Sequence, residues 1–197
     1  MINLKAKPFC LADEQIKWVY DTLASMTEDE KIGQLFCPIS FSADENYLRY
    51  ELLRYHVGGL LFKTSPSGEV RKALQFMQDN SRIPLLCAAN LEFGSTGYLE
   101  DGTLFGQQLG IGATGNAEHA YRMGYVSCKE AAATGCNFAF APVSDLDLNW
   151  RNPFITCAPM AGIRTRCWKC AGPTSAGRMK TTWLSPSSTS PATAWTR

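Results

Sequence analysis

The chain lacks what several ligand classes require. It has no surplus charge: 19 basic residues against 18 acidic ones leave a net of +1, too little to favour nucleic acid or an anionic membrane. It has no apolar run long enough to cross a bilayer, and its opening, MINLKAKPF, has no hydrophobic signal core. A cytoplasmic location is the default expectation. Histidine is scarce, with His56 and His119 alone. Acidic residues run out altogether: all 18 lie at or before Asp147. The stretch beyond still carries Arg151, Arg164, Arg166, Lys169, Arg178, Lys180 and Arg197, and it ends in TTWLSPSSTSPATAWTR, which has neither a helical nor a strand period. The character of the chain changes near residue 156.

What is present is an ordinary globular composition, 45% hydrophobic and 19% charged over 197 residues. That is enough for one domain with a core but short for a complete (β/α)₈ barrel, which typically needs about 250 residues. Of eight cysteines, Cys10, Cys37, Cys87, Cys128 and Cys136 sit among apolar or small residues, where a free thiol behaves as a small hydrophobe. A disulfide framework is not expected without a secretion signal.

Strand and helix signals alternate. Ala12–Met26 carries Ile16, Val19, Tyr20 and Leu23 at helical spacing. Thr27 and Glu30 form a capping-box pair that opens a second helix through Ile32 and Leu35, and Ser42 with Glu45 repeats the pattern before Leu48, Leu52 and Tyr55. LFCPIS, GGLLFK (58–63), IPLLCAANL (83–91) and FAFAPVSDL (138–146) are expected as strands. EVRKALQFMQDN and 117–135 are expected as helices, the latter ended by glycine, and a Gly-rich loop is expected from Glu92 to about Gly115. The strands are apolar without two-residue alternation, which predicts a parallel sheet buried on both faces. About four β/α units precede residue 156, the N-terminal half of an eight-fold α/β barrel.

Two motifs invite a cofactor and fail on context. Gly110-Ile-Gly-Ala-Thr-Gly115 fits the dinucleotide pattern and precedes a helix, but DGTLFGQQL before it is a poor strand and Glu130 falls inside the helix, not at a strand end. Cys167-Trp-Lys-Cys170 has only Cys157 nearby, too few ligands for a structural zinc. Ser95 lies in EFGST, outside a nucleophile-elbow pattern. His56 and His119 read as surface or packing residues. Neither a cofactor nor a metal is expected.

Four segments resemble the family 3 glycoside hydrolases, particularly the β-N-acetylhexosaminidase-like branch. MTEDEKIGQLF is similar to that family's opening helix and first strand, HVGGLLF to its second strand, and IPLLCAANLEFG to its third strand and substrate loop. GCNFAFAPVSDLDLNWRNP is similar to the fourth strand with its APVxD and RNP elements. The likeness spans roughly residues 25–156, in order and at matching spacing. It implies an N-terminal half of a TIM barrel and hydrolysis of terminal β-linked sugars, with N-acetylglucosamine the expected substrate. It also implies sugar-binding carboxylates at strand ends: Asp145 and Asp147 after the fourth strand and Glu92 after the third, where the family often has aspartate. Asp147 equally suits a residue that caps or turns the following loop.

Beyond Pro153 the family's Arg-Thr-Phe/Tyr-Gly element, its Lys-His-Phe-Pro-Gly motif and its nucleophilic Asp are missing. Joining the third base of each tail codon to the first two of the next can spell them: LRTYG from the Thr156–Cys157 junction, and KHFPG under Ser187–Ala194. Some positions are forced whatever codons were used, Met160–Ala161 giving only Gly and Trp168–Lys169 only Glu. We therefore expect a domain over 1–156 and an out-of-frame, disordered tail over 157–197, with no glycosidase activity in the chain as given. A non-catalytic sugar-binding relic or a fragment without function is the alternative. A half-barrel with open edges is also expected to self-associate.

Overall fold

The computed structural model describes residues 2–143 and Arg151. Asp145, Asp147, the end of the fourth expected strand, Cys157, Cys167, Cys170 and the tail 157–197 lie outside the described residues.

The elements are α1 (Asp13–Ser25), α2 (Glu28–Gly33), β1 (Ile39–Ser40), α3 (Glu45–Tyr55), β2 (Gly59–Phe62), α4 (Ser67–Asp79), β3 (Leu86–Asn90), a 3-10 turn (Ser95–Gly97), α5 (Gln108–Ala113), α6 (Ala117–Ala133) and β4 (Phe138–Phe140). The four strands form one parallel sheet in the order β1-β2-β3-β4. Sequential parallel strands joined through helices are the repeating unit of a β/α barrel, and four units make half of one.

Local chemistry explains the boundaries. The capping box expected at Thr27 is present: Thr27 Oγ1 accepts from the Glu30 N–H at 3.2 Å, and the Thr27 N–H donates back to Glu30 Oε2 at 2.8 Å. The box expected at Ser42 and Glu45 does not form. Asp44 caps α3 instead, its Oδ1 accepting from the Tyr47 N–H at 2.9 Å, and Ser42 Oγ accepts from the Asp44 N–H. The first strand is shorter than LFCPIS suggested. Leu35 and Phe36 donate to the carbonyls of Ile32 and Gly33 and continue a tightening helical turn, so both apolar side chains are exposed. The stretch from Glu92 to Gly115 is not all loop, since the 3-10 turn and α5 fall within it.

The core lies on one face of the sheet. Leu60, Phe62, Cys87 and Ala89 pack there against Leu48 and Leu52 of α3, Val70, Leu74 and Met77 of α4, and Cys128 and Ala131 of α6. The register places Ile39, Leu61, Ala88 and Phe138 in one row on the opposite face. On that face Ile39, Leu86, Phe138 and Phe140 are 39–50% exposed. The expectation of a sheet buried on both faces is therefore corrected: helices cover one face, and the other, which becomes the interior of a closed barrel, is open among the described residues. Cysteine usage needs the same kind of correction, because Cys87, Cys128 and Cys136 are buried whereas Cys10 and Cys37 are exposed; all five are free thiols. No helix among the described residues is long and apolar enough to cross a membrane.

Candidate functional site

Because the strands are parallel, their C-terminal ends meet along one edge of the sheet, where a β/α barrel carries its chemistry. Asn90, the last residue of β3, pairs in register with Phe140 of β4. Lys63 follows β2 two positions beyond Leu61 and so continues the row that faces the open side, since side-chain direction repeats every two residues. Glu92 lies two beyond Asn90 and is half-buried. The edge thus combines an aromatic ring, an amide, a cation and a carboxylate. Such a set can stack on a sugar's apolar face and bond its hydroxyls.

The segment carrying Glu92 is stitched to its surroundings. The Glu92 N–H donates to Asn90 Oδ1 at 3.2 Å. The Ser95 N–H donates to the Thr103 carbonyl at 3.1 Å, and the Phe105 N–H to the Phe93 carbonyl at 2.9 Å. Gly94 makes the turn possible, with φ 117° and ψ −175°. From the β2–α4 turn, Thr64 Oγ1 donates to the Gly97 carbonyl at 3.1 Å, and the Glu100 N–H donates to the Ser65 carbonyl at 3.1 Å. Asp101 caps α4 from a distance, accepting from the Ser67 N–H at 2.9 Å and the Ser67 hydroxyl at 2.6 Å. Those two bonds hold the Asp101 carboxyl below the ordinary aspartate range.

A second carboxylate reaches the loop from α6. Glu130 accepts from the Ser95 hydroxyl, from the Thr103 N–H at 2.9 Å and from the Thr103 hydroxyl at 2.6 Å. Partial burial pushes the Glu130 carboxyl up, but the bonds from Ser95 and Thr103 outweigh it and hold it below the ordinary glutamate range. The sign follows from linkage: a lowered folded pKa adds stability that is present above the unfolded value and is lost as pH falls through the folded one.

The structure places Glu92 two residues past Asn90, the last residue of β3. Asp145 and Asp147 lie outside the described residues, so Glu92 is the one expected carboxylate among the described residues. The segment leading to them is anchored: the Val143 N–H donates to Oε1 of the buried Gln108 at 3.1 Å. The sequence carries no local signal for the cluster of Ser95, Thr103 and Glu130, since Glu130 lies 35 residues from Ser95 and 27 from Thr103. The glycine pattern at 110–115 is no phosphate loop, because Gly110 and Gly112 lie inside α5.

An open parallel β/α half-barrel with a polar, carboxylate-bearing C-terminal edge is the class this geometry defines. Residues 27–159 match the glycosyl hydrolase family 3 N-terminal domain, and the chain belongs to that family. It is 44% identical over 153 residues to a beta-N-acetylglucosaminidase/beta-glucosidase of Cellulomonas fimi, covering 78% of this chain and 27% of that protein. A beta-glucoside phosphorylase bound to 2FGlc superposes with a TM-score of 0.85 at 33% identity, over 90% of this chain and 32% of that one. A glycoside hydrolase family 3 beta-N-acetylglucosaminidase from Paenibacillus sp. superposes with a TM-score of 0.70 at 25% identity, over 79% and 31%. The chain thus spans about a quarter to a third of the length of these relatives.

Proposed function

We propose that the chain supplies the sugar-binding half of a β-glycosidase site, which takes a terminal β-linked sugar with N-acetylglucosamine favoured. The observation that carries this is Glu92: a half-buried carboxylate at the C-terminal end of β3, on a loop pinned to both neighbouring β/α units. Hydrolysis with retention needs an acid for the leaving oxygen and a carboxylate nucleophile about 5–5.5 Å from it. No such pair is assigned in this sequence, so the chain as given is expected to bind sugar without turning it over. Calorimetry with N-acetylglucosamine should show binding that Glu92→Gln weakens roughly tenfold, the order for losing a charged hydrogen bond. A chromogenic N-acetylglucosaminide should stay intact. Turnover by the 197-residue protein refutes the inactivity, and equal affinity in the variant refutes the role of Glu92.

The similarity to a beta-glucoside phosphorylase favours a second reading, in which phosphate replaces water as glycosyl acceptor in the complete site. If a chain with its catalytic elements releases sugar 1-phosphate only when phosphate is added, phosphorolysis is correct; free sugar alone means hydrolysis.

A second copy of this chain is the proposed partner of the open sheet face. Its support is the set of exposed apolar side chains on that face, Ile39, Leu86, Phe138 and Phe140. Sedimentation should show mass rising with concentration, and a monomer at every concentration removes the proposal.

A further inference from the structure

Away from the strand ends, Glu130, Ser95 and Thr103 form a cluster in which one carboxylate gathers three donors from a single loop. Glu130 stands on α6, whereas Ser95 and Thr103 stand at the two sides of the loop that begins at Glu92. Ser95 is fully buried, and its hydroxyl oxygen also accepts from the Thr103 N–H at 2.9 Å. One carboxylate therefore closes the loop on itself and ties it to a helix. The cross-loop rungs Ser95 to Thr103 and Phe105 to Phe93 lie directly next to the Glu92 segment, so whatever holds these rungs also sets where Glu92 sits.

We propose that Glu130 is a positioning residue for the sugar-binding loop: by gathering the Ser95 hydroxyl and both Thr103 donors, it holds Glu92 in place over the strand ends. Its effect on sugar rests on the proposed function above; its effect on the loop does not. Three donors converging on one ionised acceptor are the strong case of charge-assisted hydrogen bonding. The loop otherwise hangs from β3 by its backbone and from the β2–α4 turn by Thr64, Ser65 and Ser67. Without Glu130 its far side, around Thr103, keeps the Ser95 bonds and the Phe105 to Phe93 rung but loses its hydrogen bonds to α6.

The test measures hydrogen exchange and sugar affinity in the full chain. In Glu130→Ala, the Thr103 amide should exchange about tenfold or more faster, as for opening after loss of a charged hydrogen bond. Amides of β2 and β3 should be unchanged. Affinity for N-acetylglucosamine should fall by a similar factor. Glu130→Gln, which keeps an acceptor oxygen, should restore part of both. Wild-type Thr103 protection, corrected for intrinsic exchange, should weaken as acid protonates Glu130, and Glu130→Gln should remove that dependence. The charged group facing Glu130 is Asp101 of the same loop, so Asp101→Asn, with the dependence retained, is the control. Thr103→Val removes one donor at an exposed position and should loosen the loop without touching the core, which keeps the test decisive if Glu130→Ala fails to fold.

Unchanged Thr103 exchange in Glu130→Ala or in Thr103→Val overturns the proposal. So does loosening of β2 and β3 in step with the loop in Thr103→Val, which makes the cluster a general support of the fold. A loosened loop in a protein that never binds sugar leaves the positioning role standing and removes the functional reading.

Discussion

Gly94→Ala is expected to destabilise the Glu92 loop by about 3 kcal/mol or more and to abolish measurable sugar binding. Two independent effects add. The backbone there, at φ 117° and ψ −175°, is a region open essentially to glycine alone, and forcing another residue into it costs on the order of 1–3 kcal/mol. A Cβ at that position would also lie 2.1 Å from the Thr103 carbonyl oxygen. That oxygen cannot retreat cheaply, because it accepts the Ser95 N–H that closes the loop. Gly106 is the internal comparison: its φ is 81° but a Cβ there meets nothing within 4 Å, so Gly106→Ala should cost only about 1 kcal/mol. Hydrogen exchange at Ser95 and Thr103, with urea unfolding beside it, reads both. A Gly94→Ala protein with wild-type loop protection contradicts the loop geometry.

Leu60→Ala is expected to remove a large share of the stability of the fold. Leu60 is fully buried in β2, one of the two inner strands, on the face covered by α3, α4 and α6. Truncating such a leucine costs about 2–5 kcal/mol through lost transfer energy and the cavity left behind. That range is a large fraction of the about 5–15 kcal/mol by which native domains are stable. The adjacent Leu61 points to the open face and is only partly buried, so Leu61→Ala should cost about 1 kcal/mol or less. Chemical denaturation of the two variants separates the faces, and equal losses would mean that the assignment of buried and open faces is wrong.

The elements themselves were legible in the chain. Helices α1, α4 and α6 follow from apolar residues at helical spacing, and the Thr27–Glu30 box marks its helix start correctly. The place of Glu92 in the fold was legible because an apolar strand run ends just before it, so the carboxylate falls two residues past Asn90, beyond the C-terminal end of β3. Elsewhere local signals competed. Ser42 and Asp44 both suit a helix start, and Asp44 wins because its carboxylate accepts the Tyr47 N–H. LFCPIS carries apolar residues that a strand or a turn can use equally, and the helical turn bonds of Leu35 and Phe36 settle it.

Sequence by itself determined the class of fold and the family, because alternating periods and short segments at matching spacing depend only on residues near one another in the chain. Tertiary structure alone decided the rest. Apolar strands look the same whether one face or two are covered, so the open face bearing Phe138 and Phe140 became visible only when the helices were seen to lie on the other side. The cluster of Glu130 with Ser95 and Thr103 has no local signature, since folding brings together groups on a helix and a loop that no short-range pattern links.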